Sequence, residues 1–492
     1  MQNQFLCDRR SFISGALALP FLGGCLCGRN KPPRRVGPND KVNVGVIGCG
    51  VIAKGTNVPG FLKDTRCRVT VVCDVVKMAP GYFYGAKPKD GAKSDIFEGD
   101  IQYGSKVPRD VCGSTIVKNQ VDAHYNDKAC REVFDWREVV NDPTIDAVCI
   151  CTPDHWHAII AIAAMRAGKH VFCQKPMSLG IEEGKAMVRV AKETGVTFQV
   201  GNQGRSNPSF RLSEELVLNG YAGAIKGATI CIPGNDHWEG HGHSPARAPL
   251  PKYFSKEGWD LWQGPARHWE GNAYIPCIHD PTCWRFNDRY GGGMITDFGA
   301  HEFDQLQRGL GTDLSGPVAV ENMKTDLRKD NDVFSWAGKF SFDFVYANGV
   351  RVHVRTIDVK AGYPRQTVFH CEKGDVGSRS GKGVLPPELA KFKESDFTDK
   401  DKRLYAPKNG HDSSKFHESD FLDGILEQRQ CCSPCEVGHR TISLAHIANI
   451  CERLRTDRLD WDPVREVFTG KLAAEANALT KTEYHNGWTL DA

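Results

Sequence analysis

The chain has 492 residues, 40% of them hydrophobic and 25% charged, with 63 Lys plus Arg against 60 Asp plus Glu. That length is too great for one compact core and suits two domains, and the composition excludes a disordered chain. The near balance of charge, with no basic stripe interleaved with aromatics, excludes an electrostatic nucleic-acid binder.

The first elements in chain order concern delivery. Asp8-Arg9-Arg10-Ser11-Phe12-Ile13 resembles a twin-arginine export signal, and the apolar stretch 12–24 is too short to span a bilayer. Residues 1–25 therefore read as a signal peptide, with the twin-arginine export machinery as a partner and the periplasm or cell envelope as destination. Leu22-Gly23-Gly24-Cys25 resembles a lipoprotein cleavage box, which would leave Cys25 lipidated and the protein anchored. Residues 26–40 are polar and Pro-rich, and read as a linker. No later stretch is apolar enough to cross a membrane.

Residues 41–203 read as a dinucleotide-binding domain. Apolar runs at 41–48, 68–74, 147–152, 170–175 and 196–201 are continuous rather than alternating, as strands covered on both faces should be. Helical patterns at 157–168 and 181–195 each end in glycine, and strand–helix alternation predicts a doubly wound parallel sheet, the Rossmann arrangement. Behind the first strand comes Gly48-Cys49-Gly50-Val51-Ile52-Ala53. In this turn Gly48 permits the tight bend, Gly50 admits a pyrophosphate, and Ala53 replaces a third glycine. Asp74 ends the next strand, where a carboxylate holds ribose hydroxyls. That favours NAD, with NADP the alternative since Lys77 stands close by. Gly55 and Pro59 should shorten or distort the first helix.

Nineteen cysteines would suggest disulfides in an exported protein. Cys49, Cys73, Cys149, Cys151 and Cys173, however, fall in or beside predicted buried strands, where cysteine acts as a small apolar residue. The run 431–435 (CCSPC) reads as a surface loop, with one disulfide at most and too few ligands for zinc. Residues 79–120 lack a strong period and read as an insertion that rims the site, binds a neighbouring subunit or lies as a solvated loop.

Three blocks carry a more specific signal: Thr152-Pro153-Asp154-His155-Trp156-His157, Cys173-Gln174-Lys175-Pro176, and residues 291–304 with Asp297 and His301. Together they resemble the glucose–fructose oxidoreductase/inositol dehydrogenase (Gfo/Idh/MocA) family over nearly the whole chain after the linker. The resemblance implies a Rossmann domain followed by a mostly antiparallel open sheet with helices on one face, here residues 204–492, and oligomerisation through that sheet. Relatives usually have Glu where this chain has Gln174, so Gln174 withdraws a charge beside Lys175 while keeping hydrogen bonding.

Oxidising a secondary alcohol needs a hydride acceptor and a base. His301 takes a proton near neutral pH, and Asp297, four residues earlier, shares its face and would orient it. Lys175, at the carboxyl edge of a parallel strand, would polarise the reacting oxygen or shuttle its proton. The sequence leaves open which of Lys175 and His301 takes the proton first. The cofactor set is the turn Gly48, Cys49, Gly50, Val51 and Ile52, with Asp74, Thr152, Pro153, His155, Trp156, His157, Gln174 and Lys175. His157 would cap the helix or touch the cofactor, and Trp156 would wall the nicotinamide or simply pack.

In the second domain, 339–355 predicts a hairpin, with Phe340, Phe342 and Phe344 alternating, Asn348-Gly349 as a type I′ turn, and Val350, Val352 and Val354 returning. An aromatic stretch supplies carbohydrate-type contacts; Arg205, Trp262, Tyr274, Arg285 and Tyr290 are the substrate candidates. Asp236, His237, His241 and His243 are set among glycines, which give no rigid ligand geometry, so no metal is expected. The leading expectation is an exported NAD(P)-dependent oxidoreductase acting on a sugar or glycoside. Because the twin-arginine route carries folded proteins, the dinucleotide would be loaded before export and held tightly. The alternatives are a redox-neutral NAD-dependent glycosidase, working by oxidation, elimination, addition and reduction, and a non-catalytic carbohydrate-binding protein of the envelope.

Overall fold

The computed structural model describes residues 31–34, 37, 40–80, 111–234, 250–268, 283–326, 335–358, 361–380, 382–402 and 417–490. Residues 1–25, the expected signal peptide with Cys25, the Asp236–His243 group and Tyr274 lie outside the described residues.

Strand β1 (Val42–Ile47) is almost entirely buried and leads into the glycine turn. The helix that follows runs from Val51, but residues 53–57 form a π-helical turn in which the Val58 N–H donates to Ala53 O. Pro59 has no N–H to offer the preceding turn, so the register widens there before α1 (Val58–Lys63) resumes. The expected distortion thus takes the form of a π turn. Strand β2 (Cys67–Cys73) pairs parallel with β1. A two-stranded neck, β3 (Ala79–Pro80) with β4 (Val111–Cys112), comes next. Helix α2 (Ser114–Tyr125) buries Val117 and Val121 in the domain core. Residues 111–120 of the expected insertion therefore pack with the domain, and residues 81–110 lie outside the described residues.

Strands β5 (Arg131–Val133), β6 (Ala147–Ile150), β7 (His170–Cys173) and β8 (Phe198–Val200) complete the sheet, with helices α3 (Trp136–Asn141), α4 (His157–Arg166) and α5 (Ile181–Thr194) between them. The strand order is β5-β2-β1-β6-β7-β8, parallel throughout. The order reverses between β1 and β6, so the crevice at their carboxyl ends is where such a sheet binds its ligand.

After α6 (Pro208–Leu218) the chain enters the second domain with β9 (Ile225–Ile232). Helices α7 (Lys256–Gln263), α8 (Gly293–Asp297) and α9 (Gly299–Leu310) precede β10 (Ala319–Thr325), β11 (Phe340–Val345), β12 (Arg351–Thr356), β13 (Gln366–Cys371), β14 (Gly374–Arg379) and β15 (Lys382–Val384). Then come α10 (His417–Glu427), α11 (Cys435–Arg453), β16 (Arg458–Asp462), β17 (Val467–Thr469) and α12 (Ala473–Ala478). Among the described residues these strands form a nine-stranded sheet in the order β15-β14-β13-β9-β12-β11-β10-β16-β17, antiparallel except where β9 meets β12. Phe340, Phe342, Phe344, Val352 and Val354 are buried against Phe303 and Leu444 of the covering helices. The opposite face carries charged pairs such as His353 with Asp343 and Arg351 with Glu321.

The hairpin falls where expected, but its turn is not type I′. Of the central residues only Gly349 is left-handed (φ 84°), and its N–H donates to Tyr346 O. A type I turn closed by a glycine bulge results. The run 431–435 is also corrected. Cys431 and Cys435 are each 5% exposed and Ser433 is fully buried, so this is an interior segment, and its cysteines are free thiols.

The two domains are not separate bodies. Phe421, Leu422 and Ile425 of α10 join the first domain's core, against α1 and Phe172. The C-terminal stretch returns as well. Tyr484 Oη donates to Glu183 Oε1 at 2.6 Å, and Trp488 packs against Trp156 with ring centroids 4.8 Å apart.

Candidate active site

Four consecutive strand ends build the site: β2, β1, β6 and β7. At the end of β1, Gly48 has φ +89°, and a Cβ there would lie 2.6 Å from the Cys151 carbonyl carbon at the end of β6. Only glycine allows so close a backbone approach. Asp74, one residue beyond β2, accepts the Cys49 N–H at 2.6 Å and the Val76 N–H at 2.9 Å. Burial pushes its carboxyl up to about 6 against those bonds. At the end of β6 the Thr152 hydroxyl is buried without a partner. A narrow glycine turn opening a helix, a carboxylate at the next strand end and an unspent hydroxyl across the crevice fit a dinucleotide.

Lys175 lies just past β7, and its peptide bond to Pro176 is cis. Its Nζ donates to Asp297 Oδ1 at 2.5 Å and to Asp297 O at 3.1 Å. Arg285 Nε lies 3.3 Å from the other carboxylate oxygen. The two cations hold the Asp297 carboxyl far below the ordinary carboxylate range despite burial. His301, on the first turn of α9, is kept neutral by burial and by the neighbouring Lys175 and Arg365, with Asp297 opposing. The structure therefore brings Lys175, Asp297 and His301 together but changes one pairing: Asp297 binds Lys175 and Arg285, with no hydrogen bond to His301 among the described residues. The charge withdrawn at Gln174 is supplied to Lys175 from the second domain.

Asp154 joins the same cluster, although it was absent from the sequence-based set. It is 3% exposed; burial and the adjacent Asp297 carboxylate push its carboxyl well above the ordinary range, against Arg285 and Lys175. Two carboxyls with oppositely displaced affinities thus share one site, Asp297 ionised and Asp154 protonated. Its place within the motif was visible in sequence; its electrostatic coupling to Asp297 was not. Arg365, on the strand side of His301, was missed because nothing local marks it.

The other motif side chains shape the loop rather than face a ligand. The His157 ring nitrogens lie 2.7 Å from Pro176 O and 2.8 Å from Thr152 O, one donating in the neutral ring, which ties the β6 loop to the β7 loop. Burial pushes His157 down to about 4. His155 Nε2 donates to Trp262 O at 2.9 Å, as does Trp156 Nε1 at 3.1 Å. Trp156 is enclosed by Trp136 and Trp488, so it packs rather than walling the nicotinamide.

Two substrate candidates are corrected. Arg205 is 5% exposed and bound to Asp304 and Asp313, a buried structural ion pair. Tyr290 is fully buried against His155 and Trp262, so its ring is a support. Trp262 is partly buried and stacks on Trp259. Arg285 alone of the described substrate candidates touches the ionic cluster.

Comparison with known proteins agrees with this fold. A family model described as an oxidoreductase family, NAD-binding Rossmann fold, matches residues 113–202. A second, described as an oxidoreductase family C-terminal alpha/beta domain, matches residues 234–490. Levoglucosan dehydrogenase of Pseudarthrobacter phenanthrenivorans is 42% identical over 91 residues, 18% of this chain and 23% of that protein. Myo-inositol 2-dehydrogenase of Thermotoga maritima is 36% identical over 89 residues, 18% of this chain and 27% of that protein. Each match therefore spans only about a quarter of the relative's length. Among solved structures, levoglucosan dehydrogenase in complex with NADH and L-sorbose superposes with a TM-score of 0.55 at 18% identity, covering 86% of this chain and 100% of that one. Aldose–aldose oxidoreductase from Caulobacter crescentus, complexed with glycerol, gives 0.53 at 16% identity, covering 85% and 99%. At such identities these two likenesses concern the fold.

Proposed function

The chain belongs to the Gfo/Idh/MocA oxidoreductase family, and from that premise we propose that it moves a hydride between NAD and the carbon bearing a secondary hydroxyl of a sugar or polyol. The observation that carries this reading is the Lys175–Asp297–Arg285 ion cluster, with neutral His301 beside it, at the mouth of the dinucleotide crevice. When bound, the dinucleotide supplies the hydride acceptor. The glycine turn Gly48–Ile52 would take its pyrophosphate, Asp74 its ribose hydroxyls, and the Thr152–Pro153 and Lys175 strand ends would border its nicotinamide.

The chain's own residues then divide the proton work. Asp297 holds the Lys175 ammonium at a fixed point, where it donates to the reacting oxygen and favours its alkoxide character. His301 is neutral and can accept a hydrogen bond from the hydroxyl, while burial, Lys175 and Arg365 lower its hold on the proton, so it passes the proton on rather than storing it. In the reverse direction the group that took the proton returns it, while Asp154, its carboxyl pushed up by burial, adds no negative charge to the site. The named activities of the partial relatives, on levoglucosan and inositols, support a polyhydroxylated substrate.

We also place the protein in the cell envelope, on the strength of the Asp8–Ile13 signal and the apolar stretch after it. A dinucleotide in that compartment has no free pool to exchange with, so the reading includes retained NAD, regenerated in place. The test is to denature purified protein, identify the released nucleotide, and follow absorbance of the nicotinamide in native protein given a panel of pyranosides and inositols. Reduction at 340 nm with a ketone product is expected, and Lys175→Ala should abolish it. Nucleotide-free protein that neither binds NADH nor responds to any polyol would overturn the reading. Glycoside cleavage with no net reduction would move it to the redox-neutral alternative.

A further inference from the structure

A buried chain of hydrogen bonds runs beneath the site and ends on a carboxylate from the second domain. It starts at the Lys175 backbone N–H, which donates to Gln174 Oε1 at 3.3 Å. Gln174 Nε2 donates to Asn57 Oδ1 at 2.8 Å, and Asn57 Nδ2 donates to Glu418 Oε1 at 2.7 Å. The Cys151 thiol also points at Asn57 Oδ1, at 3.4 Å. All three side chains are at most 3% exposed. Asn57 sits in the π turn behind the glycine turn, and Glu418 on the first turn of α10.

The direction of this chain is forced. A backbone N–H only donates, so Gln174 must turn its oxygen to Lys175 and its amide nitrogen to Asn57. Asn57 must then turn its oxygen to Gln174, which leaves its nitrogen facing residue 418, where only an acceptor fits. An ionised carboxylate is acceptor-only and completes the sequence. Two close approaches hold the ends in place. A Cβ at position 201 would lie 2.6 Å from Gln174 Oε1, and one at position 60 would lie 2.5 Å from Glu418 Oε2. Among the described residues no cation pairs with Glu418, and burial pushes it up to about 7. A carboxyl kept in so unfavourable a place has its role through Asn57.

We propose that Glu418 is a positioning residue for Lys175, acting through Asn57 and Gln174 to fix the main chain that carries the lysine. This rests on Lys175 acting in the site, as proposed above. The second domain then holds Lys175 twice, by Asp297 on the ammonium and by Glu418 through the amides.

The test is a double-mutant cycle in the full chain. Glu418→Gln removes the acceptor-only end, so the Asn57 amide is held from the Gln174 side alone. Gln174→Glu puts acceptors on both sides of Asn57. The double variant restores one acceptor-only end and reverses both amides without leaving Lys175 N–H unpaired. The readout that needs no substrate is trace acetic anhydride labelling of Lys175, quantified by peptide mass spectrometry against exposed lysines. Each single variant should change Lys175 labelling about threefold to thirtyfold, and the double variant should return toward wild type. Phe421→Leu, on the same helix, serves as a packing control that lowers melting temperature without changing the labelling. Unchanged labelling in folded Glu418→Gln, or additive effects in the double variant, would overturn the proposal. If labelling follows the cycle while no polyol reduces the dinucleotide, the positioning stands and the functional reading fails.

Discussion

At the residue scale the site works by setting ionisable groups apart. Asp297 and Asp154 are both buried aspartates, yet Lys175 and Arg285 push one below the ordinary carboxylate range while burial and the Asp297 charge push the other above it. Asp74, at the cofactor end of the site, changes charge in an accessible range. Its carboxyl is raised from 3.8 to about 6 by desolvation, so the folded protein binds this proton more tightly than the unfolded chain does. Its contribution to stability is therefore full below pH 4 and is lost as pH rises through 6. Dinucleotide binding has the opposite sign, because ribose hydroxyls donate to the ionised form. Affinity of nucleotide-stripped protein for NADH, followed by nicotinamide fluorescence, should be level above pH 7 and fall up to about tenfold per unit below 6. Asp74→Asn should bind weakly with no such slope; a wild-type slope in that variant would refute the assignment.

At the scale of elements, the loop Thr152–Trp156 owes its shape to three partners distant in sequence. Trp262 offers one carbonyl to both His155 and Trp156, His157 ties the loop to Pro176, and Trp488 closes over Trp156. Asn486 Nδ2 donates to Gly264 O at 2.8 Å and Ala266 O at 3.0 Å, which fixes the segment carrying that carbonyl. Trp488→Ala should lower stability by about 2 kcal/mol in urea titration, given partial burial of a large ring. It should also weaken NADH binding to nucleotide-stripped protein. A change within about 0.5 kcal/mol would mean that the tail does not brace the loop. These elements also show where sequence reading stops. The Asn348-Gly349 signal located the hairpin, but the choice of turn lay with the strand register, which leaves Gly349 alone left-handed. Gly55 and Pro59 announced a fault in the first helix, and the π turn that resulted aims Asn57 at Gln174.

At the scale of the molecule the two sheets share cores through α10 and the C-terminal stretch. Phe61, Phe172 and Phe421 pack edge to face, with centroids 5.7–6.4 Å apart, and Arg66 pairs with Asp423 at 2.5 Å. Such contacts should make unfolding a single cooperative event. Calorimetry should show one transition that moves as a whole when Phe421 is truncated; two separable transitions would show that the domains unfold independently. The same arrangement suits the proposed retention of a dinucleotide, since the helix behind the glycine turn is held from both sides.

What the sequence determined by itself is what local physics encodes. Continuous apolar runs specify strands buried on both faces, alternating Phe and Val specify the half-covered hairpin, and Gly48 marks a turn where backbone meets backbone. The three motif blocks likewise mark where Lys175, Asp297 and His301 stand. Only the tertiary structure decided which polar groups meet. Asp297 reaches Lys175 across 122 residues and Glu418 reaches Asn57 across 361, while Arg205 spends its charge on Asp304 and Asp313. Hydrophobic periodicity reports that a residue is buried, not beside what. A buried charge is defined by its partner, and that partner is chosen by the closure of the whole fold.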